Sequence, residues 1–139
     1  MRIVIAGCGR LGASLATQLD HGENQITVVD TNPHAFRRLE SEFRGSAIVG
    51  TTIDEDVLLS AGIEAADVFF AVTDADNTNL MAAQVAKRVF GVPRVSARVY
   101  DSVRAEVFRS MDINSICPTI AVSALMIDAV GISTAAETA

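Results

Sequence analysis

The stretch Ile3-Val4-Ile5-Ala6-Gly7-Cys8-Gly9-Arg10-Leu11-Gly12 decides how this chain is read. Ile3, Val4 and Ile5 form a compact β-branched run that fits a strand buried on both faces, and glycines follow at once. From Leu11 to about Leu19 the apolar residues return at helical spacing, which predicts strand, tight turn and helix. In that setting the glycines match GxGxxG. Gly7 permits the turn, Gly9 lets the backbone approach a pyrophosphate, and Gly12 lets the helix pack close to the sheet. The helix N-terminus also turns unpaired N–H groups toward an anion. A structural glycine turn without a ligand is the plain alternative.

The same alternation continues outward. Ile26, Val28 and Val29 predict a second strand ending at Asp30, and Pro33 suits the first turn of a helix carrying Ala35, Phe36 and Leu39, capped by Thr31 or Asn32. A short strand at Ala47 to Val49 precedes a helix from about Asp54, with Val57 and Leu58 facing inward and Gly62 near its stop. Val68 to Val72 is the fourth strand, Asn77 to about Phe90 a long helix, and Arg94 to Val99 the fifth strand. A helix from about Val103 to Met111 and a short strand near Ser115 and Ile116 complete the pattern. Six strands alternating with helices predict an α/β fold: a doubly wound parallel sheet with right-handed crossovers and helices on both faces.

No linker, repeat or low-complexity block divides the 139 residues, which suit one domain and leave no room for a full substrate domain. The last helix, from Pro118 to about residue 130, carries apolar residues around more of its circumference than one sheet contact requires. It is expected to bury that surface against a second subunit, the alternative being a helix lying on its own domain. Residues 131–139 are small and polar and are expected to fray.

Seventeen Asp and Glu against eleven Lys and Arg give a formal charge of -6, which argues against a nucleic-acid surface. Cys8 and Cys117 show no metal-ligand spacing, so a reducing, cytosolic setting is the simpler expectation. The apolar run at the N-terminus stops at Ala6, too short for a signal peptide, and no later run is long enough to insert in a membrane.

Several side chains converge on the turn. Asp30, 18 residues after Gly12, can accept hydrogen bonds from both hydroxyls of an adenosine ribose. It would repel a 2'-phosphate, favouring NAD(H) or an adenine mononucleotide over NADP(H). The other reading is an Asp that helps to start the next helix. Arg10 can reach phosphate oxygens bidentately, in its own subunit or across an interface, or simply face solvent. After the fourth strand, in Val72-Thr73-Asp74-Ala75-Asp76-Asn77, Thr73 can bond to a ligand, while Asp74, Asp76, Asn77 and Asn79 suit helix capping as well as binding. Arg98 ends the fifth strand at the carboxyl edge of the sheet, where open α/β sheets bind ligands.

Together with Asp54-Glu55-Asp56-Val57-Leu58-Leu59-Ser60-Ala61-Gly62-Ile63, Ala97-Arg98-Val99-Tyr100-Asp101 and Ile113-Asn114-Ser115-Ile116-Cys117-Pro118, these stretches resemble the TrkA N-terminal or RCK N-domain. These are the nucleotide-binding regulatory subunits of bacterial Trk- and Ktr-type potassium uptake systems. The resemblance runs from residue 1 to about 130 in one register. It implies a Rossmann-like domain that binds NAD(H), ATP or ADP and pairs as a homodimer through the sheet edge and last helix. Rings of such dimers are implied to gate a potassium-translocating membrane subunit from its cytoplasmic side. It further implies that Arg10 reads phosphates, Asp30 is the ribose acid, Thr51 and Thr52 meet the adenine, Arg98 is the basic residue near the nucleotide, and Thr31 is among the residues that contact it.

The chain departs from the family where some members place a Glu after the helix-starting Pro to hold a divalent cation, because Thr119 follows Pro118 here. It is also short for a family that often adds a C-terminal regulatory domain. The enzyme alternative, a cofactor-binding fragment of an NAD-dependent oxidoreductase, lacks a candidate acid or base. His21 and His34 sit at helix ends, Tyr100 has no Lys four residues on, and Cys8 lies within the turn. A methyltransferase would share the glycine turn and the acid but not Arg10.

Overall fold

The computed structural model describes residues 1–134. In chain order it contains β1 (Arg2–Ala6), α1 (Arg10–Leu19), β2 (Gln25–Asp30), a 3-10 helix (Pro33–Arg38), β3 (Ser46–Val49), α2 (Glu55–Ser60) and a 3-10 turn (Ile63–Ala65). Then follow β4 (Val68–Ala71), α3 (Asp76–Gln84) running into a π-helical turn (Val85–Val89), β5 (Arg94–Arg98), α4 (Ser102–Arg109), β6 (Asn114–Ile116) and α5 (Pro118–Ala129). The strands form one parallel sheet in the order β3-β2-β1-β4-β5-β6. This is the doubly wound arrangement expected, and the order reverses between β1 and β4, where a crevice opens at the carboxyl ends of the strands.

Alternation along the strands sends side chains to two cores. Val4, Ala6, Val29, Phe69 and Ala71 pack with Leu58 of α2, Leu80 and Ala83 of α3 and Ala105 of α4. Ile3, Ile5, Ile26 and Val28 pack with Ala13 and Ala16 of α1 and Ala35 of the 3-10 helix. Phe69, Ile5, Leu58 and Ile63 are fully buried, each worth about 1.5–3 kcal/mol of transfer free energy.

Two elements differ in kind from the expectation. The segment after Pro33 is a 3-10 helix; Asn32, not Thr31, caps it by accepting the N–H of His34. The long helix starts at Asp76 rather than Asn77, and its last turn is π-helical, with the Phe90 N–H bonded to the carbonyl of Val85. Gly91, at φ +65°, then ends it. Neither Asp74 nor Asn77 caps α3. The cap position is Ala75, whose side chain has no acceptor to offer, and Asp76 accepts the N–H groups of Tyr100 and Asp101 on its carboxylate.

α5 buries none of its residues, and Leu125 and Met126 are about two-thirds exposed. Among the described residues no helix is long and apolar enough to cross a membrane. Of the tail expected to fray, residues 135–139 lie outside the described residues.

Candidate functional site

The turn after β1 is built by its glycines. Gly7 has φ +114°, a conformation only glycine adopts easily, and its N–H bonds to the carbonyl of Val29 on β2. A Cβ on Gly7 would also press on the backbone of Val72 and Thr73. Gly12 lies against the Gly7 carbonyl, leaving no space for a Cβ. Gly9 is the exception, since a Cβ there would meet nothing within 4 Å. α1 begins directly after Gly9, whose own carbonyl accepts from Ala13. α1 therefore starts from the glycine turn that lines the switch-point crevice, with the N–H groups of its first turn free of partners within the helix.

Asp30 sits half-buried across from this turn. One carboxylate oxygen accepts the N–H of Cys8 and the other the N–H of Asn32, both at 2.8 Å. Each oxygen keeps a second lone pair for a hydroxyl donor. The Cys8 side chain points away, its thiol donating to the carbonyl of Ala35 at 3.5 Å. Burial raises its pKa, the Asp30 charge pushes the same way, and the positive charge of Arg38 opposes them. Cys8 is therefore a small filler under the turn rather than a nucleophile.

The wall after β4 is fixed by a buried asparagine. The Asn79 side chain accepts from the N–H and hydroxyl of Thr73, at 2.8 and 2.6 Å, and donates to the carbonyls of Thr73 and Arg98. Arg98 reinforces it, donating from Nη2 to the carbonyls of Val72 and Thr73 at 3.1 and 2.7 Å, with its guanidinium 5.2 Å from the centre of the Tyr100 ring. Its Nε is buried with no partner among the described residues.

These walls enclose a cavity of about 530 Å³, within the usual range for a small-molecule site. Of the residues singled out in the sequence, Gly7, Cys8, Gly9, Asp30, Thr31, Thr51, Thr52, Val72, Thr73, Asp74 and Arg98 line it. Leu11, Gly12 and Asn77 do not; Asn77 accepts from Arg104 instead. Arg10 lies outside the walls too, exposed at the start of α1. Sequence reasoning missed Ala35, Arg38, Ile53, Ala75 and Thr78 as lining residues and treated Asn32 only as a cap. A larger cleft, about 730 Å³, lies at the opposite, amino edge of the strands, between Met1, Phe70, Arg94 and Asp112. It has neither the glycine turn nor a helix N-terminus. We therefore place the candidate site at the switch point.

No His, Lys or Tyr lines the 530 Å³ cavity, so it offers no proton-transfer group of those kinds. Among the described residues, no three His, Cys, Asp or Glu side chains cluster closely enough to hold a metal ion. The donor set suits a polar, phosphorylated, ribose-bearing molecule: free N–H groups for phosphate, one carboxylate for a diol, and small hydroxyl residues along the remaining wall.

Fold and site together define a Rossmann-like domain with a nucleotide-type crevice. The chain belongs to the TrkA-N domain family, whose pattern matches residues 3–119. It is 47% identical over 121 residues to the Trk system potassium uptake protein TrkA of Streptomyces coelicolor, an alignment covering 87% of this chain and 52% of that protein. The chain thus spans about half the length of that relative. Among solved structures, the C-terminal domain of Kef from Shewanella denitrificans in its AMP-bound form superposes with a TM-score of 0.78 at 20% identity, covering 94% of this chain and 80% of that one. The GsuK channel bound to NAD superposes at 0.69 and 23% identity, covering 84% and 21%. At these identities the superpositions speak to the fold.

Proposed function

We propose that this chain is a nucleotide-sensing regulatory domain of a potassium uptake system, taking NAD(H) or ATP/ADP into the switch-point cavity and catalysing no reaction. The observation that carries the reading is the carboxylate of Asp30 held by the N–H of Cys8, which fixes the acid against the glycine turn. In this reading the ribose diol donates to Asp30, and the adenine lies toward Thr31, Thr51 and Thr52. The diphosphate meets Gly7, Gly9 and the free N–H groups of α1, and the remainder extends past Val72, Thr73 and Asp74 toward Arg98. Arg10, exposed at the start of α1, serves a phosphate from the helix end or from the neighbouring subunit.

The exposed α5 supports a homodimer in which residues 118–130 cover a second copy, with dimers assembling further into a ring. The potassium-uptake relative supports a potassium-translocating membrane protein as the partner, with this domain on its cytoplasmic side. A nucleotide shifts such an assembly only by its difference in affinity between two shapes. Effectors that share the adenosine anchor and differ beyond the diphosphate are suited to that task.

Titration with NADH and ADP, comparing the native chain with Asp30→Ala, tests the reading. Loss of the ribose acceptor is expected to weaken both ligands about tenfold or more, the equivalent of about 1.4 kcal/mol. Equal affinities for the native chain and the variant would contradict the assignment of the ribose end.

A further inference from the structure

Arg38 is the charged residue of the cavity that the sequence did not single out. The 3-10 helix explains its position. With three residues per turn, residues i and i+3 eclipse, so Arg38 stands directly over Ala35, and both line the cavity. Ala35 in turn receives the Cys8 thiol, which ties that wall to the glycine turn. Arg38 therefore belongs to the same end of the cavity as Asp30, Thr31 and Asn32.

Its charge is not consumed there. The Arg38 guanidinium makes no hydrogen bond or ion pair among the described residues, Asp30 included, whereas Arg98 at the other end is committed to two carbonyls. Asp30 is in the opposite condition, both its oxygens already accepting backbone N–H groups. A donor-satisfied carboxylate repels a neighbouring phosphate less than a bare one, and a free guanidinium lining the same cavity offers the planar, bidentate fork that a phosphate accepts. The positive charge of Arg38 is felt as far as the Cys8 thiol, next to the N–H that Asp30 holds.

We propose that Arg38 is a specificity-determining residue at the ribose end. Its unpaired guanidinium lets this cavity admit an adenosine nucleotide carrying a 2'-phosphate, which Asp30 alone would turn away. The pocket is then permissive at the ribose, accepting a diol through Asp30 and a 2'-phosphate through Arg38. This rests on the reading of the cavity as a nucleotide site.

The test is calorimetric titration of the full chain with NADH and with NADPH, repeated for Arg38→Gln and for Arg37→Gln, the adjacent arginine that does not line the cavity. NADPH is expected to bind the native chain within roughly tenfold of NADH. Arg38→Gln should raise the ratio of the NADPH to the NADH dissociation constant at least about tenfold, while Arg37→Gln leaves that ratio where it was. Both arginines are exposed, so circular dichroism should show all three proteins equally folded. Binding of NADH with none of NADPH by the native chain, or an unchanged ratio in Arg38→Gln, overturns the role of Arg38 and leaves the nucleotide site standing. Failure of both ligands to bind removes the nucleotide site and this inference with it.

Discussion

Gly9 and Gly12 stand three residues apart in one turn, yet the structure assigns them different tasks. A methyl group on Gly12 has nowhere to go but into the Gly7 carbonyl, whereas one on Gly9 enters open space. Gly12→Ala is expected to cost about 2–4 kcal/mol in urea denaturation, through backbone displacement where α1 meets β1. Gly9→Ala should stay within about 0.5 kcal/mol of the native stability, because it disturbs no protein contact. The same Gly9 variant should weaken nucleotide binding about tenfold or more, because the added methyl stands where the diphosphate approaches. A Gly9 variant that binds as well as the native chain would mean that no ligand comes close to that turn. The pattern GxGxxG already gave Gly12 a packing task and Gly9 a ligand-facing one, and the space around the two glycines agrees with that division. The structure adds the contacts behind it: Gly12 is closed in by the Gly7 carbonyl within the turn, and Gly7 by the backbone of Val72 and Thr73. Asn79 is a different case: four hydrogen bonds to Thr73 and Arg98 make it the peg of the cavity wall, and as a sequence residue it reads simply as a polar position near a helix start.

At the scale of elements, the six-stranded parallel, doubly wound sheet followed from the alternation of β-branched runs and helical spacings, because parallel strands buried on both faces have few other ways to connect. Helix type did not follow. Pro33 marks a helix start equally well for either pitch, and the 3-10 geometry sets Arg38 in line with Ala35, both of them lining the cavity. With an α-helical pitch, Arg38 and Ala35 would diverge by a further part of a turn. The last helix was legible as an apolar surface in excess of what one contact uses, and the structure leaves most of that surface exposed, with no residue of the helix buried. Leu125, 68% exposed at its centre, is the residue whose change should matter most to assembly. Leu125→Glu is expected to convert dimers to monomers in sedimentation velocity while far-ultraviolet circular dichroism stays unchanged. A native chain that is monomeric at all concentrations, or a Leu125→Glu chain that remains dimeric, would contradict the pairing of α5 with a second copy.

For the molecule as a whole, the two ends of the sheet offer two cavities, and the chemistry distinguishes them where size does not. The amino-edge cleft is the larger, but the carboxyl-edge crevice holds the glycine turn, the helix N-terminus and the acid with its N–H partners. The family of the chain was readable from stretches spread over nearly its whole length, some of them at the switch point and others, such as those of α2 and β6, away from it. Neither the wider assembly nor its partner is written in one domain's residues. The location of the ligand is the claim on which the rest depends, and hydrogen exchange of the chain with and without saturating NADH or ADP measures it directly. Slowed exchange at residues 7–12, 30–32, 51–53 and 72–75 is the predicted result. Unchanged exchange in those segments with slowing at residues 93–96 and 112–114, around the amino-edge cleft, would contradict it.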